Sequence, residues 1–289
     1  MTYKLDLKQI TILLSRMAEA LERIAPSYQF PDNLEKAEGF IWEAQLRKLQ
    51  TIEEIERLPL SCLQGIEPQK RELLENSRAF ARGLKANNAL LWGARGTGKS
   101  SLLKAVHGQL LSEGLDCAIV EVQREDIQDL PHIMQVLKHS NRRFILFCDD
   151  LAFEEADSSY KSLKAVLEGG LSGRPDNIVF YATSNRRHLM PRQMIDNERG
   201  SAINPSEAIE EKISLSDRFG LWIGFHSVDQ DTYLSMIESY VGFYELPVDL
   251  EQTKSQALTW CMGRGHRSGR TAYQFIIHLA GTLGITLKK

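Results

Sequence analysis

The sequence predicts an α/β fold, a three-layer αβα sandwich built on a five-stranded, mainly parallel sheet. An N-terminal helical region and a small C-terminal helical lid domain are expected on either side of this core in the chain. The first observation is a set of short apolar runs, typical of strands buried on both faces, at residues 89–92, 117–122, 144–148, 178–183 and 221–225. The second is that stretches of helical periodicity separate these runs, and this alternation favours parallel strands joined by crossover helices.

Several helices are predicted before the first strand, at residues 5–24, 38–50, 51–58 and 67–84. In the first of them apolar side chains recur every three or four positions, which indicates an amphipathic helix. Thr51 with Glu54 three residues later resembles a capping box, and Pro68 suits the first turn of the last of these helices. We therefore expect an N-terminal helical region at residues 1–59.

The pattern becomes helical again after residue 228, with helices predicted at residues 229–243, 250–262 and 269–283. We expect an α/β core with its N-terminal linker at residues 60–228 and the C-terminal helical lid domain at residues 229–289. From Gln252 onward the chain has six basic residues and no acidic one. Such a segment favours phosphate contact or an interface, and a solvated face explains it equally well.

The composition excludes several classes of protein. With 43% hydrophobic and 25% charged residues, the chain has the make-up of a globular protein. No apolar run approaches the roughly 20 residues of a membrane span, and the N-terminus has no apolar block of a signal peptide. The cysteines form no C-x-x-C pair and stand far apart, at Cys62, Cys117, Cys148 and Cys261. We expect a soluble protein of the reducing cytoplasm, with no membrane partner and no structural metal cluster.

Residues 93–100 read G-A-R-G-T-G-K-S and match the phosphate-binding loop pattern G-x-x-x-x-G-K-[ST]. They fall between a predicted buried strand and a predicted helix, which is the context that this motif requires. The glycines let backbone N–H groups surround phosphate oxygens, Lys99 reaches the β- and γ-phosphates, and the Ser100 hydroxyl ligates Mg²⁺. The predicted nucleotide contacts of this loop are Gly93, Ala94, Arg95, Gly96, Thr97, Gly98, Lys99, Ser100 and Ser101.

Two carboxylates, Asp149 and Asp150, follow the predicted strand at residues 144–148. The carboxyl end of a strand is where open α/β sheets bind ligands. Asp149 is predicted to hold Mg²⁺, directly or through water, and Asp150 to orient or deprotonate the attacking water. A plain strand-ending turn is the alternative interpretation of this pair.

The apolar run at residues 178–183 also ends in polar side chains. If its strand lies between the other two, Thr183 or Asn185 reaches the γ-phosphate and fixes the attacking water, although an ordinary turn also explains Asn185. The basic residues 186–188 that follow contact phosphate or nucleic acid, or else form a solvated loop. Residues 189–212 form a connection longer than the usual 2–6 or so residues, which makes them the candidate for contact with a macromolecular substrate.

These motifs, in this order along the chain, resemble those of the AAA+ ATPases. Two later segments strengthen the resemblance, one to the stretch before the fifth strand that carries an arginine finger, the other to the start of the sensor 2 helix. The matching segments are G-A-R-G-T-G-K-S at residues 93–100, D-D at 149–150, A-T-S-N-R-R at 182–187, E-K-I-S-L-S-D-R-F-G at 211–220 and G-H-R-S-G-R-T-A at 265–272.

The resemblance covers about residues 60–283 and implies roles by position. Asn185 corresponds to sensor 1, and Arg218 to the arginine finger, which acts in trans on the site of a neighbouring subunit. Arg218 follows an aspartate, so a surface ion pair is the alternative. The sensor 2 arginine is either Arg267 or Arg270, and the position at the start of a predicted helix favours Arg270.

L-Q-G-I at residues 63–66 resembles the linker that packs on adenine, which implies nucleotide contacts at Gly65 and Ile66. More narrowly, the chain is similar to a bacterial group of single-module AAA+ proteins with no assigned biological role. The resemblance implies ATP and Mg²⁺ as ligands, hydrolysis to ADP and phosphate, and assembly into a homo-oligomeric ring or arc. The partner on which such an oligomer acts is an unidentified protein or nucleic acid.

The chain departs from most AAA+ proteins at the second acidic position, where Asp150 replaces the usual glutamate. Because aspartate is one methylene shorter, the water must come closer or is held less well. Hydrolysis is not excluded by this change, but slow, switch-like turnover is favoured over fast motor turnover. The alternative function is therefore a slow or non-hydrolysing, ATP-gated adaptor or loader that binds DNA or another protein. A phosphate-loop kinase, the third class considered, has no use for the Asn185–Arg218–Arg270 series.

Overall fold

The computed structural model of the chain describes residues 7–24, 34–153, 159–169, 173–187, 189, 215 and 217–287. Its strands are β1 (Gly39–Glu43), β2 (Lys48–Ile52), β3 (Ala89–Gly93), β4 (Cys117–Glu121), β5 (Arg143–Cys148), β6 (Ile178–Ser184) and β7 (Leu221–Phe225). They form one seven-stranded sheet in the order β2-β1-β4-β5-β6-β3-β7. Neighbouring strands run parallel except β1 and β2, which pair antiparallel.

Helices precede the strands and lie between and after them. In chain order the described α-helices are α1 (Leu7–Ile24), α2 (Glu67–Ala81), α3 (Lys99–Ser112), α4 (Leu130–Leu137), α5 (Tyr160–Glu168), α6 (Gln230–Phe243), α7 (Leu250–Met262) and α8 (Gly269–Leu283). The sequence periodicity predicts all eight of these within a few residues, including α3, α4 and α5, which it places at residues 100–113, 130–139 and 160–168. Within the described ranges, no helix has both the length and the apolar character needed to cross a membrane.

The N-terminal part of the sheet corrects the sequence prediction. The expectation of helices at residues 38–50 and 51–58 is wrong, because these residues contain β1 and β2. Phe40 and Trp42, each 1% exposed, have the period of two that belongs to a strand. β1 becomes a strand because it can pair with β4, a tertiary contact that overrides local preference. The sheet accordingly has seven strands instead of the five expected.

The strands bury side chains on both faces, which makes the core a three-layer sandwich. Leu90 packs into an apolar cluster with Ile133 of α4 and Leu163 of α5. The next residue, Leu91, points to the opposite face and packs with residues of α2 and α3, among them Leu102. The predicted αβα layering is therefore confirmed, although the strand count is not.

The three C-terminal helices pack around an apolar cluster of their own that includes Tyr233 and Phe275. Each of these helices begins at a side chain that accepts a hydrogen bond from its first turn. The caps are Asp229 for α6, Asp249 for α7 and Ser268 for α8. These local signals explain why the three helices could be predicted so closely.

The strand order brings three chemically important strand ends together. β6 lies between β5 and β3, which is the condition under which Thr183 and Asn185 reach the phosphate-binding loop. All three strands are parallel, so their carboxyl ends meet at one edge of the sheet.

Candidate nucleotide-binding site

The loop between β3 and α3 is shaped by three glycines with positive φ. Gly93 has φ 138°, Gly96 has φ 74° and Gly98 has φ 94°, values that favour glycine over any residue with a side chain. At Gly93 there is no room for a side chain either, because a Cβ there would lie 2.0 Å from the carbonyl oxygen of Phe225. The loop therefore curls tightly at the N-terminus of α3, where backbone N–H groups and the helix dipole attract anions.

The Lys99 side chain is 7% exposed and folds back over the loop. Its Nζ donates hydrogen bonds to the carbonyl oxygens of Gly93 at 2.9 Å and Ala94 at 2.7 Å, and to Asn185 Oδ1 at 3.2 Å. Burial lowers the pKa of the ammonium, while the carboxylates at 149–150 raise it. A buried ammonium at the mouth of an N–H-lined loop is a strong attractor for a polyphosphate.

Asp149 is fixed by two hydroxyl groups. Ser100 Oγ donates to Asp149 Oδ1 at 2.6 Å, and Thr183 Oγ1 donates to the same oxygen. Among the described residues no group of three histidine, cysteine or acidic side chains converges to bind a metal by itself. A hydroxyl beside one carboxylate nevertheless fits Mg²⁺, which takes oxygen ligands and usually fills its shell with phosphate oxygens and water.

Asp150 has an unusual backbone conformation for a residue with a side chain. Its φ is 52°, in the left-handed region that aspartate tolerates better than most residues. Its N–H donates to Thr183 Oγ1 at 2.9 Å, and its Oδ1 accepts from Asn185 Nδ2. The Arg95 guanidinium lies 3.8 Å from the other carboxylate oxygen. The turn thus aims the second carboxylate at the phosphate-binding loop, beside Asn185.

These groups line one end of a cleft of about 640 Å³. The rest of the lining comes mainly from the chain before α2 and from α6. It includes the side chains of Leu58, Leu63, Ile66, Met236 and Tyr240, together with the polar Glu56, Arg57 and Gln64. A cleft that combines anion-attracting groups with several apolar side chains matches a nucleotide, whose phosphates are charged and whose base is flat and poorly hydrated.

Most predicted binding residues lie in this cleft. Those that line it are Ile66, Arg95, Gly96, Thr97, Gly98, Lys99, Ser100, Ser101, Asp149, Asp150, Asn185 and Arg270. Gly65, Gly93 and Ala94 are not among the lining residues. Gly65 has φ 76°, and a Cβ there would lie 2.3 Å from Thr232 Cγ2, so the glycine permits close packing against α6.

The C-terminal helices contact the phosphate-binding loop through the start of α8. The N–H of Arg270 lies 3.4 Å from the carbonyl oxygen of Gly96, and the Arg270 side chain lines the cleft. Arg267 is outside the cleft lining and hydrogen-bonds Gln230 at 3.3 Å. Of the two arginines considered for sensor 2, Arg270 is therefore the one beside the candidate phosphate site.

Arg218 lies outside the cleft of its own chain and forms an ion pair with Glu168 at the end of α5. Arg187, in the basic segment after Asn185, stacks over the rings of Trp92 at 5.2 Å and Trp222 at 5.5 Å. The predicted substrate-contacting segment 189–212 lies outside the described residues except for Leu189.

The sequence reasoning missed several residues of the cleft. Met236, Tyr240 and Tyr273 reach it from α6 and α8, and no local pattern marks these residues as ligand contacts. Arg57 and Lys104 also line the cleft. Only the fold brings such distant segments together, so their part in the site is found from the structure alone.

Comparison with known families identifies the chain. A family described as "Protein of unknown function (DUF815)" matches residues 35–283. The chain belongs to this family. It also has the AAA+ fold, which is the fold that the resemblance of its motifs predicts.

Individual relatives are distant from this DUF815 protein. It is 26% identical over 206 residues to a probable mitochondrial chaperone BCS1-A of Dictyostelium discoideum, a match that covers 62% of this chain and 42% of the relative. The DNA complex of the Aeropyrum pernix ORC1 protein is 15% identical, with a TM-score of 0.52 over 77% of this chain and 60% of that one. AMPPCP-bound DnaA from Aquifex aeolicus is also 15% identical, with a TM-score of 0.47 over 76% and 64%.

Proposed function

We propose that this DUF815 protein binds ATP with Mg²⁺ in the cleft and hydrolyses it to ADP and phosphate. The site is completed between subunits of a homo-oligomeric ring or arc, and hydrolysis drives remodelling or loading of a protein or nucleic-acid partner. The observation that carries the proposal is the convergence of Lys99, the Ser100–Asp149 pair and the Asp150–Asn185 pair at one end of a single cleft.

The phosphate end of the site has the groups that binding requires. The N–H groups of residues 94–100 surround the phosphates, and Lys99 exchanges its bonds to two loop carbonyls for bonds to phosphate oxygens. Ser100 and Asp149 hold Mg²⁺, which neutralises charge on the β- and γ-phosphates when it is bound. Thr183 keeps the Asp149 carboxylate oriented toward Ser100.

Asp150 and Asn185 activate and orient the attacking water. The Asp150 carboxylate accepts a proton from the water, and the amide of Asn185 orients both the carboxylate and the γ-phosphate. Arg218, which lies outside the cleft of its own chain, acts on the nucleotide of the neighbouring subunit. Arg270 carries the state of the phosphates to the C-terminal helices, which move as a lid against the core.

The test is ATP hydrolysis per subunit, measured across a range of protein concentrations with Mg²⁺ and with Lys99→Ala as control. A site that is completed between subunits predicts a per-subunit rate that rises with concentration and then levels off. A rate independent of concentration across the dissociation range of the oligomer would contradict the shared site. Failure of the wild-type protein to bind ATP would contradict the whole proposal.

A second candidate is an ATP-gated adaptor or loader that hydrolyses ATP slowly or not at all. It is favoured by the short Asp150 side chain, whose carboxylate already has Asn185 and Arg95 as partners. ATP that binds but stays intact at every protein concentration would support this candidate. DNA binding that weakens steeply with salt would identify nucleic acid as the partner, and its absence at low salt with ATP would exclude it.

A further inference from the structure

The chain between β2 and α2, residues 53–66, forms one wall of the cleft and is called the strap here. Leu58, Leu63 and Ile66 of the strap line the cleft, as do Met236 and Tyr240 of α6. The strap has little regular structure of its own, apart from one 3₁₀ turn at Leu60–Cys62. Its position relative to the phosphate-binding loop therefore depends on side-chain contacts.

A chain of polar contacts adds to the apolar packing of Leu63 and Ile66 in this attachment. Glu38, directly before β1, accepts hydrogen bonds from the Ile55 N–H at 2.9 Å and from the Arg57 guanidinium. Arg57 Nη1 donates to His107 Nδ1 at 3.2 Å, and His107 Nε2 donates to the carbonyl oxygen of Cys117 at 2.8 Å. The contacts join the strap to the sheet and to α3, the helix that starts at the phosphate-binding loop.

The contacts are largely shielded from water. His107 is fully buried, and the side chains of Arg57 and Glu38 are 17% and 25% exposed. With Nε2 donating to a carbonyl oxygen, the neutral ring leaves Nδ1 as an acceptor, which is what the guanidinium requires. The helix is also shaped for Arg57, because a Cβ at Gly108 would lie 2.5 Å from Arg57 Cδ. The Arg57 side chain thus packs closely against α3 at Gly108.

We propose that Glu38 and Arg57 form a latch that positions the strap against the base and ribose of the bound nucleotide. The inference rests on the proposed nucleotide binding and adds a determinant of affinity that lies outside the phosphate-binding loop. Glu38 does not line the cleft and acts through the strap, so it is a positioning residue. The antiparallel β1–β2 hairpin, which extends the sheet, thereby contributes to the nucleotide site.

The experiment compares Glu38→Ala with Glu113→Ala in the full chain. Glu113 is a matched control, because it pairs with Arg78 through two hydrogen bonds, is 23% exposed and does not line the cleft. Calorimetric titrations in the presence of Mg²⁺ measure the affinity of each variant for two ligands. One is ATP, and the other is inorganic tripolyphosphate, which has phosphates but no base. Glu38→Gln is measured too, since its amide oxygen still accepts hydrogen bonds and the variant serves if Glu38→Ala does not fold.

We expect Glu38→Ala to weaken ATP binding about tenfold, which is about 1.4 kcal/mol. Tripolyphosphate should bind all three variants as it binds the wild type, and Glu38→Gln should retain most of the ATP affinity. Wild-type ATP affinity in Glu38→Ala would overturn the latch, as would an equal loss for ATP and tripolyphosphate, which would indicate general loosening. If the wild type binds ATP no more tightly than tripolyphosphate, the base adds nothing to the affinity, and this result would also overturn the latch. Absence of any wild-type ATP binding would instead overturn the proposed function.

Discussion

At the scale of single residues, a change at Asp150 should distinguish ATP binding from ATP hydrolysis. Asp150→Asn keeps the size of the side chain and removes the proposed general base. We expect ATP affinity within about threefold of wild type and a turnover at least a hundredfold lower, since general-base catalysis contributes about 10²–10⁴. Titration with ATP and a phosphate-release assay measure the two quantities. Turnover near the wild-type rate would show that Asp150 is not the base.

Lys99→Ala is the complementary change, because it removes the buried cation that is proposed to bind the phosphates. ATP binding should fall below detection in the same titration. Lys104→Ala is its control, since Lys104 also lines the cleft but is not part of the phosphate-binding motif. An affinity loss of similar size in both variants would mean that general positive charge, and not the loop lysine, binds the nucleotide.

His107 makes the stability of the protein depend on pH. Burial is the main cause that lowers its pKa to about 4 from 6.5. The hydrogen bond to the Cys117 carbonyl oxygen and the charge of Glu38 act against burial, while Arg57 and Arg142 act in the same direction as burial. Because the pKa is lower in the folded state, the unfolded chain binds more protons between these values. The stability is therefore present above pH 6.5 and is lost as the pH falls toward 4.

We expect the free energy of unfolding to fall by about 2 kcal/mol between about pH 7 and pH 5 because of His107. Urea unfolding at the two pH values measures it. His107→Gln removes the titrating group while keeping an N–H for the carbonyl oxygen of Cys117, so this variant should lose much less over the same interval. An equal pH dependence in both proteins would assign the effect to other groups.

The site residues that the sequence predicts are those with a fixed spacing. The phosphate-binding loop and the acidic pair are contiguous motifs, so their residues could be named before their geometry was known. Thr183 could be suspected as a polar residue at a strand end, but its bonds to Asp149 and the Asp150 N–H require the order of the strands. Tyr240 carries no local signal, because its contact with the cleft arises from helix packing.

At the scale of secondary-structure elements, the helices with caps and the strands buried on both faces could be predicted. β1 and β2 could not, because residues 39–52 also fit a helical pattern and only pairing with β4 decides between the two. The wrong prediction at these strands matters for the proposed function. The segment that the sequence assigns to a separate helical region is part of the sheet and holds the strap through Glu38.

The connection before β7 carries the next prediction. Arg218→Ala should bind ATP like the wild type and lose about 10³-fold in turnover, since a finger in trans contributes about 10³–10⁵. Glu168→Ala is the control, because it breaks the ion pair of Arg218 within the chain and leaves the guanidinium in place. If the two variants have the same turnover, Arg218 acts through its ion pair with Glu168 and is not an arginine finger.

At the scale of the whole molecule, the fold separates two halves of the proposed site. Lys99 is in the cleft, and Arg218 is paired with Glu168 outside it. A single chain therefore presents a nucleotide cleft at one place and an arginine at another. Such an arrangement is heterologous, and copies joined in this way continue into a ring or an open arc.

This arrangement makes two inactive variants able to restore each other. In an equal mixture of Lys99→Ala and Arg218→Ala, about a quarter of the interfaces combine an intact loop from one variant with an intact arginine from the other. We expect the mixture to recover a matching fraction of wild-type hydrolysis, while each variant alone stays inactive at the same total concentration. A mixture of Lys99→Ala with Asp150→Asn is the control. It should recover no hydrolysis, because both substitutions lie in the cleft and no subunit then has an intact cleft. No recovery in the first mixture, under conditions where the variants exchange subunits, would mean that Arg218 does not complete a neighbouring site.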